Sequence, residues 1–477
     1  MMNLADRRLF LDALRALLGT SHVLDATQDV APYARDWRGR YQGQPLAVAL
    51  PGDTAEVAEI VQLCATHGVP IVPQGGNTGL VGGATPDATG TQLLLGLKRL
   101  CRIRTLSVAD GVVVAEAGCV LQSVQEAAQQ AGMLFPLSLA AEGSATIGGV
   151  LSTNAGGTAV LRYGTARALC LGLEVVTAQG QVWDGLSSLR KDNTGYDLRD
   201  LLIGAEGTLG IITAASLQLF AQPAAQRTAL SLVANVRDAV NLLQQARAKL
   251  GAGLTGFELM SAHSLQLVQR HFPQLRLPLD LTAPWCVLLE LSDSESEEHA
   301  QARLESLLGE ALERGQVVDA VVAQTLAQAQ AIWALREHIP LAQAAEGLNI
   351  KHDIAVPISR MAAFVESTAE LVTQALPGAR LVIFGHLGDG NLHYNVQAPL
   401  DVDAAKFLGR HQEACNAIVH DAASACGGSF SAEHGVGQLK TAELSRYKSP
   451  VALGMMRAIK VALDPQGIMN PGKVIAS

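Results

Sequence analysis

The sequence predicts an α+β protein of two domains followed by a short C-terminal segment. The chain of 477 residues is long enough for several domains of about 100–200 residues each. Its first part alternates strands and helices around glycine-rich loops, whereas beyond Pro223 alanine- and leucine-rich helices flank apolar strands. Gly, Pro and Asn become frequent again at 464–477. These changes of composition place the three parts at 1–222, 223–445 and 446–477.

Hydrophobic periodicity predicts the individual elements. Thr54–His67 has a helical pattern, opened by Asp53 or Thr54 as N-cap, between the apolar strands Ala47–Leu50 and Val69–Val72. Other elements predicted in this way are helices at Leu4–Leu18, Leu121–Ala131, Val233–Leu250 and Glu298–Arg314, and strands at Gln92–Gly96, Gly111–Glu116, Ile211–Phe220 and Cys286–Leu291. We expect the first helix to pack on the core rather than to lie on a membrane surface.

The composition excludes several classes of protein. The net charge is −9 and the basic residues are scattered, whereas a nucleic-acid partner needs a basic face. The seven cysteines form no CxxC pair, which indicates reduced thiols and excludes a cysteine-bound iron–sulfur cluster. No run of 18 apolar residues occurs, and the N-terminus lacks the features of a signal peptide. We therefore expect a cytoplasmic protein.

A glycine-rich loop, Pro73–Gly83, follows a predicted strand. Its sequence is PQGGNTGLVGG, and successive glycines allow backbone N–H groups to converge on an anion such as a diphosphate. Asn77 and Thr78 add side-chain donors. The loop matches neither GxGxxG nor GxxxxGK[ST], so a Rossmann dinucleotide site or a P-loop is not indicated. Taken alone, it is equally compatible with an ordinary turn.

Two later segments share this character. The stretch 144–157 reads SATIGGVLSTNAGG, and 202–211 reads LIGAEGTLGI before a predicted strand. Three loops rich in Gly, Ser, Thr and Asn imply one extended polar ligand surrounded by backbone.

Two histidines lie on a predicted β-hairpin, VIFGHLGDGNLHYNV at 382–396. An Asp389-Gly390 loop suits a type I′ turn, which pairs His386 with His393 across the strands, with Cβ atoms about 5 Å apart. Asn391 and Asn395 share the face of His393. Two imidazoles at this spacing can bind one metal ion, and the alternative is a pair of hydrogen-bonded structural histidines.

A third metal ligand is available at Glu433, in the stretch SAEHGVG. A carboxylate and two imidazoles leave an open coordination position, as in catalytic metal sites. On the sequence alone, Glu433 and His434 could equally be a solvated pair.

The order of these motifs resembles the FAD-binding vanillyl-alcohol oxidase/p-cresol methylhydroxylase superfamily. PQGGNTGLVGG, GSATIGGVLSTNAGG, RYG, DNTGYDL and GAEGTLGIIT carry the resemblance, which covers nearly the whole chain. The D-2-hydroxyglutarate and D-lactate dehydrogenase branch is the most similar. The resemblance implies a two-part FAD-binding domain, a separate α+β substrate domain and a tail that returns to the flavin domain. The cofactor-binding positions that it implies are Pro73, Gly75, Gly76, Asn77, Thr78, Gly79, Ser144, Thr146, Gly148, Gly149, Asn154, Gly156, Gly207, Ile211 and Asn470.

The resemblance also assigns an active site. His386, His393 and Glu433 match metal ligands, with zinc the usual ion, and His434 matches a catalytic base. The positions that match substrate contacts are Arg336, Lys351 and Asn395. No His or Cys occupies the loops where relatives attach flavin covalently, so the resemblance implies noncovalent FAD.

The predicted reaction is oxidation of a D-2-hydroxy acid to the 2-keto acid, with a dicarboxylate favoured because Arg336 and Lys351 offer two cations. Surface salt bridges of Arg336 with Glu337 and of Lys351 with Asp353 are the alternatives. Relatives specific for hydroxyglutarate can carry a hydroxyl residue four positions after the arginine, whereas this chain has Pro340. Two alternative functions are compatible with the sequence: a D-lactate dehydrogenase, and the FAD subunit of a glycolate oxidase complex.

Reduced flavin needs an external acceptor, which we expect to be an electron-transfer flavoprotein, a quinone or a cytochrome. The sequence also leaves a homodimer open.

Overall fold

The structure, a computed structural model, describes residues 4–475. Residues 1–3 and 476–477, which belong to the predicted first and last parts, lie outside the described residues. The strands are β1 (Val23–Leu24), β2 (Ala47–Ala49), β3 (Ile71–Gln74), β4 (Leu93–Gly96), β5 (Ile103–Ser107), β6 (Val112–Glu116), β7 (Met133–Leu134), β8 (Cys170–Val176), β9 (Val182–Gly185), β10 (Ile211–Gln218), β11 (Phe220–Ala221), β12 (Ala225–Val233), β13 (Leu254–Ser261), β14 (Trp285–Asp293), β15 (Asp319–Val322), β16 (Asn349–Ile350), β17 (Asp353–Ala355), β18 (Arg380–Gly385) and β19 (Asn391–Gln397).

Helices connect these strands. They are α1 (Leu4–Leu18), α2 (Thr27–Val30), α3 (Thr54–His67), α4 (Leu121–Gln130), α5 (Ile147–Ser152), α6 (Val160–Tyr163), α7 (Ala166–Leu169), α8 (Leu198–Leu202), α9 (Val236–Leu250), α10 (Ala262–His271), α11 (Glu297–Glu313), α12 (Leu326–Glu337), α13 (Ile339–Glu346), α14 (Met361–Ala375), α15 (Ala404–Ala425), α16 (Thr441–Tyr447) and α17 (Pro450–Leu463). No described helix is both long and apolar enough to cross a membrane.

The chain forms two compact units. The first contains the chain up to Gly156, then Gly164–Gln222 and the segment that begins at Glu433. The second contains Gly157–Tyr163 and Pro223–Ala432. The segment that returns to the first unit thus begins at Glu433, thirteen residues before its predicted start at 446.

A four-stranded sheet in the order β1-β2-β4-β3 begins the first unit. The α3 helix joins β2 to β3 and has the predicted bounds: the Asp53 side chain accepts from the Glu56 N–H at its start, and Gly68 at φ 63° ends it. The β3 strand begins two residues later than predicted, at Ile71 rather than Val69. Its end leads directly into the first glycine-rich loop.

The rest of the first unit is a five-stranded antiparallel sheet, ordered β5-β6-β10-β8-β9, and a small β11-β7 ribbon. The C-terminal segment adds to the first sheet at β3. The Ile71 N–H donates to the Ile468 carbonyl at 2.7 Å, and the Asn470 N–H donates to the Ile71 carbonyl at 2.8 Å. The mixed α and β architecture confirms the predicted fold class.

An eight-stranded antiparallel sheet forms the second unit, in the order β15-β12-β14-β13-β18-β19-β16, with β17 paired to β19. Both faces are buried. Alternate residues of β12 show this, because Ala229 and Val233 belong to one apolar cluster and Leu230 and Leu232 to another. The β12 strand also continues through Val233, paired with Trp285, so α9 begins at Val236 rather than at the predicted Val233.

Candidate active site

The first glycine-rich loop packs closely against the second. A Cβ atom on Gly76 would lie 1.9 Å from the Ser144 carbonyl oxygen, so only glycine fits at this position. Asn77 adopts a left-handed conformation, at φ 55°, and its Nδ2 donates to the Arg35 carbonyl at 2.9 Å. Left-handed residues other than glycine are uncommon and often occur where a ligand binds.

The second loop holds a hydroxyl group without a hydrogen-bond partner. Thr146 is 3% exposed, and its Oγ1 atom is unpaired among residues 4–475. A Cβ atom on Gly75 would lie 2.2 Å from this oxygen. Near the end of this loop, Asn154 has φ 49°, and its Oδ1 atom accepts the Arg167 N–H at 3.0 Å. Buried polar groups almost always have a hydrogen-bond partner, so we expect a bound ligand to supply the partner of the Thr146 hydroxyl.

Glu206 in the third loop joins that loop to the segment after Glu433. Its backbone has φ 51°, and its carboxylate accepts the N–H groups of Val436 at 2.7 Å and Gly437 at 2.8 Å. Burial raises the pKa of Glu206, and the two backbone N–H groups oppose that rise. The contact explains why this segment belongs to the first unit.

The three loops enclose a cavity of about 300 Å³. Its walls are mainly backbone and apolar side chains such as Leu97 and Leu139, and Glu433 and His434 also line it. Of the predicted cofactor-binding residues, those that line it are Pro73, Gly75, Gly76, Asn77, Thr78, Gly79, Thr146, Gly148, Gly149, Gly156, Gly207 and Ile211. Ser144, Asn154 and Asn470 are not among the lining residues. An elongated ligand with a diphosphate and a flat ring, such as FAD, fits this combination of glycine backbone, unpaired hydroxyl and apolar wall.

Asn470 in the C-terminal segment forms hydrogen bonds to the first and third glycine-rich loops. It is 1% exposed, has φ 41°, and its Nδ2 atom donates to the carbonyls of Gly83 at 3.0 Å and Glu206 at 2.8 Å. Its Oδ1 atom has no hydrogen-bond partner within the described part of the chain.

The histidine hairpin of the second unit differs from the prediction in its register. Phe384 pairs with His393, and the strands are joined by a five-residue loop from His386 to Gly390. The predicted type I′ turn, with His386 opposite His393, is therefore wrong. The His386 carbonyl accepts the N–H groups of Asp389, Gly390 and Asn391, which favours the wider loop. The two imidazole rings nevertheless lie side by side, with centroids 6.0 Å apart.

A buried carboxylate holds the first histidine. His386 Nδ1 lies 2.6 Å from Glu258 Oε1, and the Arg336 Nε–H donates to Glu258 Oε2 at 2.7 Å. Burial by itself would raise the pKa of Glu258, but the adjacent His386 and Arg336 lower it to about 2. Glu258 is therefore ionised at neutral pH.

The second histidine lies beside another buried acid. His393 Nδ1 is 4.0 Å from Asp353 Oδ1, and the same oxygen accepts from Asn391 Nδ2 at 2.9 Å. The Phe384 ring packs on His393 with centroids 4.9 Å apart. Both histidines thus have an acidic neighbour in the second unit.

The predicted substrate contacts have different environments. Arg336 is 7% exposed and its guanidinium lies 4.8 Å from the Phe384 ring centroid, so it is not the exposed surface residue of the alternative reading. Asn395 is also buried; its Oδ1 accepts the His352 N–H at 3.1 Å and its Nδ2 donates to Gln343 Oε1 at 3.0 Å. Lys351 is exposed.

Glu433 and His434 are partly buried residues of the first unit. Their side chains are each 21% exposed, and His434 Nε2 lies 3.9 Å from Glu433 Oε1. The residue before them belongs to the second unit, where the Ala432 N–H donates to the Asp353 carbonyl at 3.2 Å.

Three acidic residues of this region were missed as functional candidates in the sequence. They are Glu206, Glu258 and Asp353. Two carried a usable signal: Glu258 is the one charged residue in the apolar strand Leu254–Ser261, and Glu206 is the one charged residue in GAEGTLG. A charge in a buried strand needs a partner, which the sequence does not identify.

The comparison with solved structures shows the fold. The chain is similar to p-cresol methylhydroxylase with substrate bound, at a TM-score of 0.78 and 17% identity over 99% of this chain and 98% of that one. Alkyldihydroxyacetonephosphate synthase gives a TM-score of 0.72 at 17% identity, covering 97% of this chain and 84% of that one. The fold is therefore that of the vanillyl-alcohol oxidase/p-cresol methylhydroxylase flavoproteins, as predicted.

Sequence similarity then identifies the family. Residues 45–185 match the "FAD binding domain" family and residues 222–474 match "FAD linked oxidases, C-terminal domain". D-2-hydroxyglutarate dehydrogenases are 38% identical in Arabidopsis thaliana (mitochondrial; 97% of this chain, 80% of that protein) and 35% identical in Stutzerimonas stutzeri (98% and 99%). The mitochondrial enzyme of Bos taurus is 38% identical over 95% of this chain and 81% of its own length. The chain belongs to the FAD-dependent dehydrogenases of the FAD-linked oxidase family.

Proposed function

We propose that this enzyme oxidises a D-2-hydroxy dicarboxylate, D-2-hydroxyglutarate or D-malate, to the corresponding 2-keto acid. The observation that carries the proposal is the buried Arg336, held beside His386 by Glu258. A guanidinium in this position can form a bidentate hydrogen bond with a substrate carboxylate beside the imidazoles of His386 and His393. The names of the relatives support the choice of D-2-hydroxyglutarate.

Arg336 would bind the substrate carboxylate, and Lys351 and Asn395 would make the further polar contacts. Glu258 uses the Nε atom of Arg336, which leaves both Nη groups for a bidentate bond to a carboxylate. The Phe384 ring under the guanidinium holds the fork in one plane.

His386, His393 and Glu433 would hold a divalent metal, for which zinc is the usual candidate, since two imidazoles and a carboxylate form known catalytic zinc sites. The bond from His386 Nδ1 to Glu258 leaves Nε2 as the metal-binding nitrogen. A bound metal would lower the pKa of the substrate 2-hydroxyl, as it does for bound water.

His434 would accept the proton of the 2-hydroxyl, since it lines the cavity assigned to FAD. FAD, when bound, supplies the acceptor for the hydride from C2 at its N5 atom. The substrate thus loses one proton and one hydride, and the two electrons leave to an external carrier: an electron-transfer flavoprotein, a quinone or a cytochrome.

We expect FAD to be released by acid precipitation of the purified protein, giving a yellow supernatant. The described lining of the cavity contains no cysteine, and its histidine is His434. The measurement is the flavin absorbance of supernatant and pellet. Flavin that stays in the pellet would contradict noncovalent binding, and its release from a His434→Ala variant would then identify the attachment point.

D-2-hydroxyglutarate or D-malate should reduce the enzyme with at least tenfold higher kcat/KM than D-lactate or glycolate. A monocarboxylate cannot make the second charge-assisted hydrogen bond that the other carboxylate of a dicarboxylate would make, and a hydrogen bond to a charged group contributes about 1.5–3 kcal/mol. Bleaching of the flavin spectrum under anaerobic conditions, followed by steady-state rates with each acid, measures the preference.

A tenfold preference for D-lactate would overturn the choice of substrate and favour a D-lactate dehydrogenase. Activity with glycolate that needs additional subunits would favour a glycolate oxidase component instead. Flavin that no 2-hydroxy acid bleaches would reject the proposed enzymatic function altogether.

A further inference from the structure

Glu258 divides its two carboxylate oxygens between two functional side chains. It lies on β13 and is 0% exposed. One oxygen contacts His386 Nδ1 at 2.6 Å, and the other accepts the Arg336 Nε–H at 2.7 Å. A buried carboxylate is costly unless it is paired, so its position depends on both partners, and theirs depend on it.

The contact with Glu258 sets the chemistry of His386. Glu258 also accepts from Arg336, so in the 2.6 Å contact with His386 the ring nitrogen is the donor, and Nδ1 carries the hydrogen. The lone pair then lies on Nε2, on the opposite side of the ring. Histidines that bind metals commonly have such a carboxylate partner, which orients the ring and increases its basicity.

The same carboxylate orients Arg336. The bond to Nε fixes the plane of the guanidinium, and the Phe384 ring supports it from one side at 4.8 Å. Arg336 would otherwise be free to rotate about its long side chain, which weakens recognition of a carboxylate.

We propose that Glu258 is a positioning residue that holds the metal-binding His386 and the carboxylate-binding Arg336 in one arrangement. The inference rests on the proposed function, because it takes His386 as a metal ligand and Arg336 as a substrate contact. It adds that the affinity for the metal and the affinity for the substrate both depend on Glu258.

Glu290 provides a matched control. Glu290 is a half-buried residue on the neighbouring strand, β14, where it pairs with Gly256 of β13. Its oxygens accept from Trp333 Nε1 at 2.8 Å and from Thr255 Oγ1 at 3.1 Å, rather than from His386 or Arg336. Trp333 precedes Arg336 by one turn of α12, so both carboxylates anchor the same helix to the same sheet.

The experiment compares Glu258→Gln, Glu258→Asp and Glu290→Gln with the wild type, all loaded with FAD. A glutamine puts one oxygen and one NH₂ group in place of the two carboxylate oxygens that His386 and Arg336 contact, so in this geometry it accepts from only one of them. We expect Glu258→Gln to weaken metal binding by about 10–100-fold, measured with zinc in competition with a chromophoric chelator. Its KM should rise as well, while its FAD content stays unchanged.

Glu258→Asp keeps the negative charge on a shorter side chain. Its metal affinity and its KM should therefore lie between those of Glu258→Gln and the wild type. Glu290→Gln should leave metal affinity and KM within about twofold of the wild type, whatever it does to thermal stability. If Glu258→Gln does not fold, Glu258→Asp decides by the same two measurements.

Wild-type metal affinity and wild-type KM in a folded Glu258 variant would overturn the positioning role. The same would follow if Glu290→Gln weakened both to an equal extent, because the effect would then be on the helix as a whole. A wild-type protein that is fully active without metal would instead reject the metal site, and the two failures are distinguishable.

Discussion

Replacing His434 by alanine is expected to lower kcat by about 10²–10⁴-fold while FAD and metal stay bound, since this is the range that a positioned general base contributes. His434 lines the cavity formed by the glycine-rich loops, and its side chain is 21% exposed, so it can exchange protons with a ligand. The variant removes the proton acceptor and leaves the loops in place. Single-turnover flavin reduction measures the chemical step directly.

The control for this variant is His411→Ala, on α15, where the removed ring packs on Phe407 and has no proposed role in catalysis. That variant should keep the wild-type rate of flavin reduction. Partial recovery of the His434→Ala rate by added imidazole would support a base. Loss of metal from His434→Ala would show instead that Glu433 and His434 have been given the wrong roles.

Removal of the metal is expected to abolish turnover while the flavin spectrum persists. The proposed ligands and the FAD-binding loops are different segments of the chain, so a chelator should strip one group and leave the other. His386→Ala, His393→Ala and Glu433→Ala should each lose bound metal, because two remaining ligands do not complete a site. Elemental analysis and the absorbance of bound flavin measure the two occupancies in one sample.

Added zinc should restore the activity of chelator-treated wild type but not that of the three variants. His411→Ala again serves as the control, with wild-type metal content. Full activity in a preparation whose elemental analysis finds no metal would end the metal hypothesis, and the assignments to FAD would be unaffected.

The glycine-rich loops were predictable because their chemistry is local. Successive glycines at 75–76 and the uncommon conformations of Asn77 and Asn154 depend on residue type, and the structure brings these loops around one cavity. The predicted α3 helix likewise depends on a local cap, Asp53, and a local stop, Gly68. The hairpin register was wrong because a two-residue turn and a five-residue loop are both compatible with the same alternation of residues.

By itself the sequence determined the fold class, the family resemblance, the positions of the glycine-rich loops and the residue types available for catalysis. The tertiary structure decided which of those residues meet. Glu258 lies 128 residues from His386 and 78 from Arg336, and it contacts both because β13 pairs with β18 while α12 packs on the same sheet. Strand order and register follow from the packing of the whole sheet, whereas periodicity reports only which face of each strand is buried.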